Sequence, residues 1–556
     1  MMPKTYNEIY QDSFRDNWSL PAMTNYSSGV TYSYAEFARG VAKVHLLLDQ
    51  LGVKPGDHVS IIGKDSAEWC MAWMGVVTYG AVIVPILPDF HGEDIRNIIS
   101  HSDSVAVFAD SSHVKHLLLS EMPNVLATID YDTLKSYPDL TSLESARYLD
   151  VERLFEERYP NGYRKEDVVY AKMDNNDVIL INYTSGTTGR SKGVILTSNN
   201  IVANIIFAIQ QEILNEKGDR VLCFLPNAHA YSCTFNFLLP LACGAHSFIL
   251  GYSPTPKILL KAFKDVSPKL ILSVPLVIEK IYKNVITPKI NKPATKLALK
   301  IPGVNRLIYK KIGDSLLESM GGKMEQFIIG GAPLNDEVGK FLTKTGFPYA
   351  VGYGMTECGP LISYEKPKRY VPTSCGKPMK GISEVRIADA TEVDGQMVGE
   401  IQVRGENVCK GYYKLAEATE QLFTADGWLR TGDLGTMDKK NNLYIKGRLK
   451  TMLLGSNGQN IYPEEIEERL NMLPGISESI VVQRDGTRLV AVVRTDEDYL
   501  KAHGLTSPEA LADHMREIRA QLNEMLPAYE RIQDIEVRDE EFEKTPKQSI
   551  KRFLVK

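Results

Sequence analysis

Paired cysteines are missing from this chain of 556 residues. Its seven cysteines are scattered, odd in number, and never arranged as Cys-x-x-Cys. This distribution argues against a disulfide framework and against a zinc site, and it predicts free thiols in a reducing cytoplasm.

Long uninterrupted apolar runs are missing as well. The longest apolar stretch, residues 235–250, is interrupted by Asn236, Pro240, Gly244 and His246. It predicts a buried helix, a turn and a strand rather than a membrane span. Residues 1–18 alternate charge and polarity without an apolar centre, so we expect no signal peptide there.

An excess of positive charge is also absent. The formal net charge is −5, which gives no reason to expect nucleic acid as a partner. Apolar residues make up 44% and charged residues 24%, as in an ordinary globular protein. The length is too great for one hydrophobic core, so we expect several domains.

A stretch rich in glycine and hydroxyl groups, residues 181–197, is the most informative feature that is present. Apolar residues at 178–181 and 194–196 predict a strand on each side of it. Between the strands lie Thr184, Ser185, Gly186, Thr187, Thr188, Gly189, Lys192 and Gly193. Backbone N–H groups, hydroxyls and an ammonium group together suit a phosphate chain. The spacing is not that of a P-loop, and a polar hairpin loop without a ligand remains the alternative.

Strands and helices alternate before and after this stretch. Before it, the pattern predicts strands at 59–62, 81–85 and 105–109 and helices at 66–79 and 94–100. After it, the pattern predicts helices at 199–211 and 275–285 and strands at 221–225, 270–274 and 327–329. Such alternation implies parallel strands in layered α/β units.

Two positions that follow predicted strands are suited to ligand contact. His229 comes after a strand end, where a ligand-facing histidine would lie, although a histidine satisfied in the core is an equal alternative. Tyr353 stands between Gly352 and Gly354 and offers a stacking face, and Glu357 offers an oxygen ligand for Mg²⁺. A turn with a solvated acid remains the alternative for this second motif.

The pattern changes near residue 399 to short, glycine-punctuated strands, which predict a small β subdomain with strands at 400–403 and 411–413. We place a domain boundary near residues 448–450, dividing the chain into 1–447 and 448–556. The second part predicts strands at 479–483 and 489–493 and a helix at 508–525, a compact α+β unit.

A basic segment at residues 280–311 contains nine lysines and arginines and no aspartate or glutamate. Because apolar residues accompany the basic ones, we expect peripheral contact with an anionic membrane. A solvated basic face is an equally good interpretation.

Five motifs in this order resemble the adenylate-forming superfamily of acyl-CoA synthetases, aryl-CoA ligases and luciferases. They are Tyr-Thr-Ser-Gly-Thr-Thr-Gly (183–189), Gly-Gly-Ala-Pro-Leu (330–334), Gly-Tyr-Gly-Met-Thr-Glu (352–357), Trp-Leu-Arg-Thr-Gly-Asp (428–433) and Gly-Arg-Leu-Lys (447–450). Residues 274–282 further resemble the long-chain fatty acyl-CoA synthetase branch. The resemblance implies a large N-terminal domain, built of two layered α/β subdomains and a small β-barrel-like subdomain, and a small mobile α+β C-terminal domain.

The resemblance also implies roles for individual residues. Phosphate binding would fall to Thr184, Ser185, Gly186, Thr187, Thr188, Gly189 and Lys192, with Thr356 and Glu357 meeting the phosphates and Mg²⁺, and Thr184 sharing the metal. Adenine would be framed by Gly331, Ala332, Pro333, Tyr353 and Gly354, and ribose would be held by Asp433 with Arg448 nearby. His229 and Tyr231 would lie between the acyl and nucleotide sites, Lys450 would be a hinge, and Gly458 would line the approach of CoA.

The C-terminal tail departs from the family pattern. Where the family has the lysine that serves adenylation, an ungapped match puts Ser549, with Lys547 two residues before it.

The resemblance as a whole predicts ATP-dependent activation of a fatty acid to acyl-AMP and transfer to CoA. Transfer to a carrier-protein thiol, an aryl or shorter acid, and a poorly active binding homologue stay open, and homodimerisation is left open too.

Overall fold

The computed structural model describes residues 2–184, 191–393, 395–454, 460–484, 488–545 and 550–555. Its strands, in chain order, are β1 (Pro21–Asn25), β2 (Val30–Ser33), β3 (His58–Ile62), β4 (Val82–Ile86), β5 (Ala106–Ala109), β6 (Ala127–Asp130), β7 (Val178–Thr184), β8 (Lys192–Thr197), β9 (Arg220–Cys223), β10 (His246–Ile249), β11 (Leu270–Ser273), β12 (Gln326–Ile329), β13 (Tyr349–Val351), β14 (Tyr353–Gly354), β15 (Leu361–Tyr364), β16 (Lys377–Pro378), β17 (Ser383–Val393), β18 (Gln396–Gly405), β19 (Leu429–Met437), β20 (Leu443–Arg448), β21 (Leu453–Leu454), β22 (Asn460–Ile461), β23 (Ile476–Arg484), β24 (Arg488–Thr495) and β25 (Asp534–Val537).

The α-helices, in chain order, are α1 (Tyr6–Asp16), α2 (Tyr34–Gln50), α3 (Ala67–Tyr79), α4 (Gly92–His101), α5 (Val151–Arg158), α6 (Ser198–Gln210), α7 (Ala230–Ser232), α8 (Leu239–Cys243), α9 (Pro256–Val266), α10 (Pro275–Ile281), α11 (Thr287–Ile290), α12 (Pro293–Ala298), α13 (Val304–Ser319), α14 (Asp336–Thr345), α15 (Ala416–Leu422), α16 (Pro463–Met472), α17 (Glu497–Ala502) and α18 (Pro508–Glu524). Their ends follow local chemistry. The Ser66 side chain caps α3 by accepting from the Trp69 N–H, and Gly80 ends that helix at φ 100°.

Two large sheets are wound in the same way. One has the order β6-β5-β3-β4-β7-β8 and the other β13-β12-β11-β9-β10-β1-β2. In each, the first strand of a parallel set lies between the second and the third, as β3 lies between β4 and β5. Ligands of such sheets bind at the carboxyl ends of the strands, where the winding reverses. The predicted layered α/β fold is confirmed, and the strands at 59–62, 105–109 and 221–225 lie where the pattern put them.

The apolar run at residues 235–250 forms part of the core, as predicted. A π-helical turn, Cys233–Leu238, leads into α8, and a turn at Gly244 leads into β10. No helix among the described residues is long and apolar enough to cross a membrane.

The predicted small β subdomain is present as the antiparallel sheet β17-β18-β19-β20. One detail of the prediction is wrong, because residues 411–413 contribute an isolated bridge between Tyr412 and Val194 instead of a strand. The last strand of this sheet is not a free edge, since Leu443 of β20 exchanges backbone hydrogen bonds with Cys375 and Gly376, next to β16.

The C-terminal part has its own core, as predicted. Strands β23 and β24 pair antiparallel, and β25 adds a parallel edge strand. Helices α16 and α18 cover this sheet through buried side chains such as Ile466, Leu470 and Ile518. The hydrophobic pattern therefore supports a separately packed α+β unit.

Candidate active site

The hairpin β7–β8 carries the glycine- and hydroxyl-rich stretch. It pairs Thr184 with Lys192 and Tyr183 with Gly193. A Cβ at Gly193 would lie 2.9 Å from Ile181 Cγ2 and 3.0 Å from the Tyr183 ring, so glycine at this position lets the two side chains pack closely. Ser185, Gly186, Thr187, Thr188 and Gly189 lie outside the described residues.

One tyrosine links Lys192 to Glu357. The Lys192 ammonium group lies 4.8 Å from the centre of the Tyr412 ring, and the Tyr412 hydroxyl donates a 2.8 Å hydrogen bond to Glu357 Oε1. Glu357 and the adjacent Thr356 are buried. Burial, together with the charge of Glu357, raises the pKa of the Tyr412 hydroxyl, which keeps it a donor. The structure thus brings two of the predicted site residues, Lys192 and Glu357, to an aromatic residue that was not predicted from the sequence.

A second carboxylate lies at the candidate ribose position. Asp433 Oδ2 accepts a 2.7 Å hydrogen bond from the Tyr353 hydroxyl, and Arg448 Nε lies 3.3 Å from Asp433 Oδ1. The register of β19 and β20 pairs Asp433 with Arg448 directly. Burial raises the pKa of Asp433, whereas the charge of Arg448 and the bond from Tyr353 lower it.

The residues expected to frame adenine follow parallel strands of the second large sheet. Gly331, Ala332 and Pro333 form an exposed loop after β12, and Tyr353 comes shortly after β13. Gly331 adopts φ +88°, and the nearest atom to its Cβ position is 3.8 Å away, so the backbone is open to a flat ligand. Gly354 is exposed and packs its backbone against Pro360, where a Cβ would lie 2.0 Å from the carbonyl oxygen.

His229 lies in a loop that faces the same edge. It caps α7, its Nδ1 accepting from the Tyr231 N–H at 3.3 Å, and it is half-buried. The Tyr231 ring lies 3.1 Å from the Cβ position of Gly330, and its hydroxyl donates to the Ile328 carbonyl. Tyr231 therefore separates the histidine loop from the adenine loop.

This loop is held by two polar contacts from the first large sheet. Asn182 Nδ2 donates to the Ala228 carbonyl at 2.9 Å, and the carboxylate of Asp65 accepts from the Asn227 N–H at 2.9 Å. Burial raises the pKa of Asp65 to about 7. The two sheets thus meet at the histidine loop through their polar groups.

The C-terminal part approaches the site through α16. The exposed Lys450 follows β20 and precedes Thr451, whose hydroxyl donates a 2.6 Å hydrogen bond to Glu464 of α16. Arg552 of the tail contacts Glu467 and lies 3.7 Å from Glu464. Gly458, Lys547 and Ser549 lie outside the described residues, so their predicted roles stay predictions.

The donor set suits a Mg²⁺–nucleotide complex. Within the described ranges no three His, Cys, Asp or Glu side chains converge as a metal cage. Mg²⁺ is ordinarily held by one or two carboxylates together with substrate phosphates, and Glu357 near Thr184 and Lys192 offers such a carboxylate. A buried aspartate that is bonded to Tyr353, next to the exposed Gly354, suits a ribose and a base.

Comparison with known proteins identifies the family to which this fold belongs. The model of the AMP-binding enzyme family matches residues 12–413, and the model of the AMP-binding enzyme C-terminal domain matches residues 450–555. The chain belongs to this family, which is the adenylate-forming superfamily of acyl-CoA ligases.

Relatives and solved structures agree with this assignment. The long-chain-fatty-acid–CoA ligase FadD15 of Mycobacterium bovis is 30% identical, over 81% of this chain and 74% of that protein. ATP-bound MatB from Rhodopseudomonas palustris superposes with a TM-score of 0.75 at 22% identity, covering 99% of this chain and 98% of that one. The o-succinylbenzoate CoA synthetase MenE of Bacillus subtilis, bound to its acyl-adenylate, gives a TM-score of 0.73 at 21% identity, covering 100% and 99%.

Proposed function

We propose that this protein is an ATP- and Mg²⁺-dependent fatty acid–CoA ligase acting on medium- to long-chain acids. The observation that carries the proposal is the pairing of two arrangements at one edge of the fold: Lys192–Tyr412–Glu357 and Tyr353–Asp433–Arg448. The first suits a phosphate chain and the second suits a nucleoside. Relatives named as long-chain ligases support the choice of acid.

In the first step the acid's carboxylate attacks the α-phosphate of ATP, forming acyl-AMP and releasing pyrophosphate. Negative charge collects on the phosphorus oxygens, so the protein's task is positioning and electrostatic stabilisation. Lys192, Thr184 and the glycine- and hydroxyl-bearing residues 185–189 hold the phosphates, and Asp433 accepts from the ribose hydroxyls. Mg²⁺, when bound by Glu357 and Thr184, neutralises phosphate charge.

The adenine lies against Gly331, Ala332, Pro333, Gly354 and the ring of Tyr353, and Thr356 adds a hydroxyl near the phosphates. His229 stands where the fatty acid meets the nucleotide and orients the attacking carboxylate.

In the second step the thiol of CoA attacks the acyl carbon, and AMP leaves. Different groups must then face the same bond, which a rotating small domain can supply. We assign residues 1–447 to the nucleotide- and acyl-binding domain and 448–556 to the rotating domain. Lys450 is the hinge, and Gly458 lines the thiol's approach.

One sequence observation favours a second candidate. Ser549 stands where the family resemblance implies the adenylating lysine, which favours a slow or binding-only homologue, or one that uses Lys547 instead. An acceptor thiol on a carrier protein remains the other alternative.

A pyrophosphate-release assay tests the proposal across straight-chain acids from acetate to stearate, with and without CoA. We expect release that rises with chain length and acyl-CoA only when CoA is present. Asp433→Asn should reduce release. The matched control Asp389→Asn changes an exposed aspartate in an edge strand and should not. If none of the acids in the series causes pyrophosphate release, the proposal is wrong.

A further inference from the structure

An exposed basic and apolar surface lies outside the candidate active site. It comprises residues 287–311, which form α11, α12 and the first half of α13, and we call it the basic surface segment. Every residue of α11 and α12 is at least partly exposed. In α13 the buried residues, Gly313 and Leu316, both lie after the segment. Its side chains are therefore available to a partner.

Large apolar side chains are unusually exposed in this segment. Leu297 is 68% exposed and Leu307 is 70% exposed, and Ile301 and Val304 between them are also exposed. Single exposed apolar residues are normal on protein surfaces, but a cluster of them rimmed by polar residues marks an interaction site.

The charge of the segment is positive throughout. It contains Lys289, Lys292, Lys296, Lys300, Arg306, Lys310 and Lys311 and no acid. All seven are exposed, and within the described ranges no ion pair involves any of them. Exposed lysines elsewhere do pair along helices, as Lys261 pairs with Asp265. The positive charge is thus left for an external anion, in a chain whose net charge is −5.

We propose that the basic surface segment docks this protein on the surface of an anionic lipid bilayer. Helices that combine exposed apolar side chains with lysines lie in the interface, where the apolar groups enter the acyl boundary and the lysines meet anionic headgroups. Nucleic acid would satisfy the lysines but would leave Leu297 and Leu307 in contact with water and phosphate, so a bilayer fits both observations.

The segment is joined to the candidate site by packing. Helix α13 packs closely on α14, since a Cβ at Gly313 would lie 2.3 Å from the Thr345 carbonyl oxygen. Helix α14 begins directly after the adenine loop, with Asn335 as its cap. If the proposed function holds, docking would present the protein to fatty acids dissolved in the bilayer. That advantage rests on the proposed function, whereas docking itself does not.

Vesicle flotation tests the proposal with the full chain, in the absence of ATP and acid. We compare phosphatidylcholine vesicles with vesicles that also contain phosphatidylglycerol, at low and high salt. The wild type should bind only the anionic vesicles and be released by salt. Each lysine at an anionic surface contributes about a fivefold change in affinity, so Lys296→Gln/Lys300→Gln should weaken binding by roughly tenfold or more.

The double variant Leu297→Ser/Leu307→Ser, which keeps all the lysines, should also bind the anionic vesicles more weakly than the wild type. Matched controls change exposed residues of the small β subdomain, Lys439→Gln/Lys440→Gln and Met397→Ser, and should bind as the wild type does. Thermal unfolding of each variant checks that it is folded.

The proposal would be overturned if binding did not depend on anionic lipid or on salt, or if neither segment variant changed it. It would also be overturned if the protein bound duplex DNA more tightly than vesicles at equal salt and the lysine variant lost that binding. Because flotation needs no catalysis, vesicle binding by a protein that activates no acid would refute the proposed function and leave the docking surface standing.

Discussion

The hydroxyl of Tyr353 and the carboxylate of Asp433 are joined by a 2.7 Å hydrogen bond although the two residues are 80 positions apart in the chain. The bond connects the motif at β13–β14 to the small β subdomain, and Arg448 holds the other carboxylate oxygen. Asp433 is therefore oriented before any nucleotide binds. Such preorganisation lowers the cost of binding.

Replacement of Asp433 by asparagine should weaken ATP binding without unfolding the protein. The change removes a charge-assisted acceptor for the ribose hydroxyls, which costs roughly 1.5–3 kcal/mol, or about tenfold to a hundredfold in Kd. Calorimetric titration with ATP measures this, and Asp389→Asn is the matched control. Unchanged affinity in a folded Asp433→Asn protein would show that the ribose assignment is wrong.

Replacement of Tyr412 by phenylalanine should slow acyl-AMP formation roughly tenfold to a hundredfold, because a hydrogen bond to a carboxylate is lost. The aromatic ring remains, so its contact with Lys192 should persist. Pyrophosphate release at saturating ATP measures the effect. The neighbour Tyr413 donates to Asp103 rather than to Glu357, so Tyr413→Phe is the control. Equal rates in the two variants would remove Tyr412 from the site.

The layered fold could be predicted because strand and helix signals are local. Strands such as 59–62 are continuous apolar runs between turn residues, and α3 has a serine before it and a glycine after it. Strand β17 was not predicted, because Glu384, Arg386 and Asp389 separate its apolar residues and leave no continuous apolar run. A buried strand pattern does not show in a half-exposed edge strand.

Most of the candidate site could be predicted from motifs, but Tyr412 could not. Its role depends on the bridge between Tyr412 and Val194, two residues more than 200 positions apart. Nothing in the Gly-Tyr-Tyr sequence at residues 411–413 says which hydroxyl will meet Glu357. The same holds for Asp65, whose contact with Asn227 joins two different sheets.

Docking of the C-terminal part on the N-terminal part should depend on pH. Glu468 of α16 accepts a 2.8 Å hydrogen bond from the Asp336 N–H at the start of α14. Burial raises the pKa of Glu468 to about 7, and the charges of Asp336, Glu279 and Glu465 add to that rise. A carboxyl with a raised pKa binds its proton more tightly in the docked state than in the undocked state. Its contribution to the stability of docking is complete at a pH below the ordinary pKa of a glutamate and is lost as the pH rises through about 7.

Glu468→Gln should therefore dock more firmly than the wild type at pH 8 and differ little from it at pH 4.5, since glutamine accepts the same bond without a charge. Limited proteolysis between the two parts, measured from pH 4.5 to pH 8, follows the change in docking. Glu517→Gln changes an exposed glutamate of α18 and should keep the wild-type profile. Identical profiles for wild type and Glu468→Gln would contradict the prediction.

The tail after position 549 is held beside the candidate nucleotide site. Arg552 contacts Glu467 and Glu464 of α16. Glu464 is close enough to Asp433 to raise the pKa of that carboxyl. A lysine at position 549 would be three residues before this arginine in the sequence, and the family resemblance implies that such a lysine reaches the acid and the α-phosphate.

Ser549 supplies no positive charge there, and a serine is too short to replace an ammonium group. Loss of one such electrostatic donor typically slows a reaction about 10²–10³-fold, so acyl-AMP formation should be slow in the wild type, and Ser549→Lys should accelerate it. Thioester formation from supplied acyl-AMP should be near normal in both proteins, because the missing charge serves only the first step. Single-turnover assays of each half-reaction separate the two effects. The alternative is that Lys547 has taken the role; two residues of an extended chain would span roughly 7 Å. In that case the wild type would adenylate fast and Lys547→Ala alone would abolish the reaction, which would refute the prediction for Ser549.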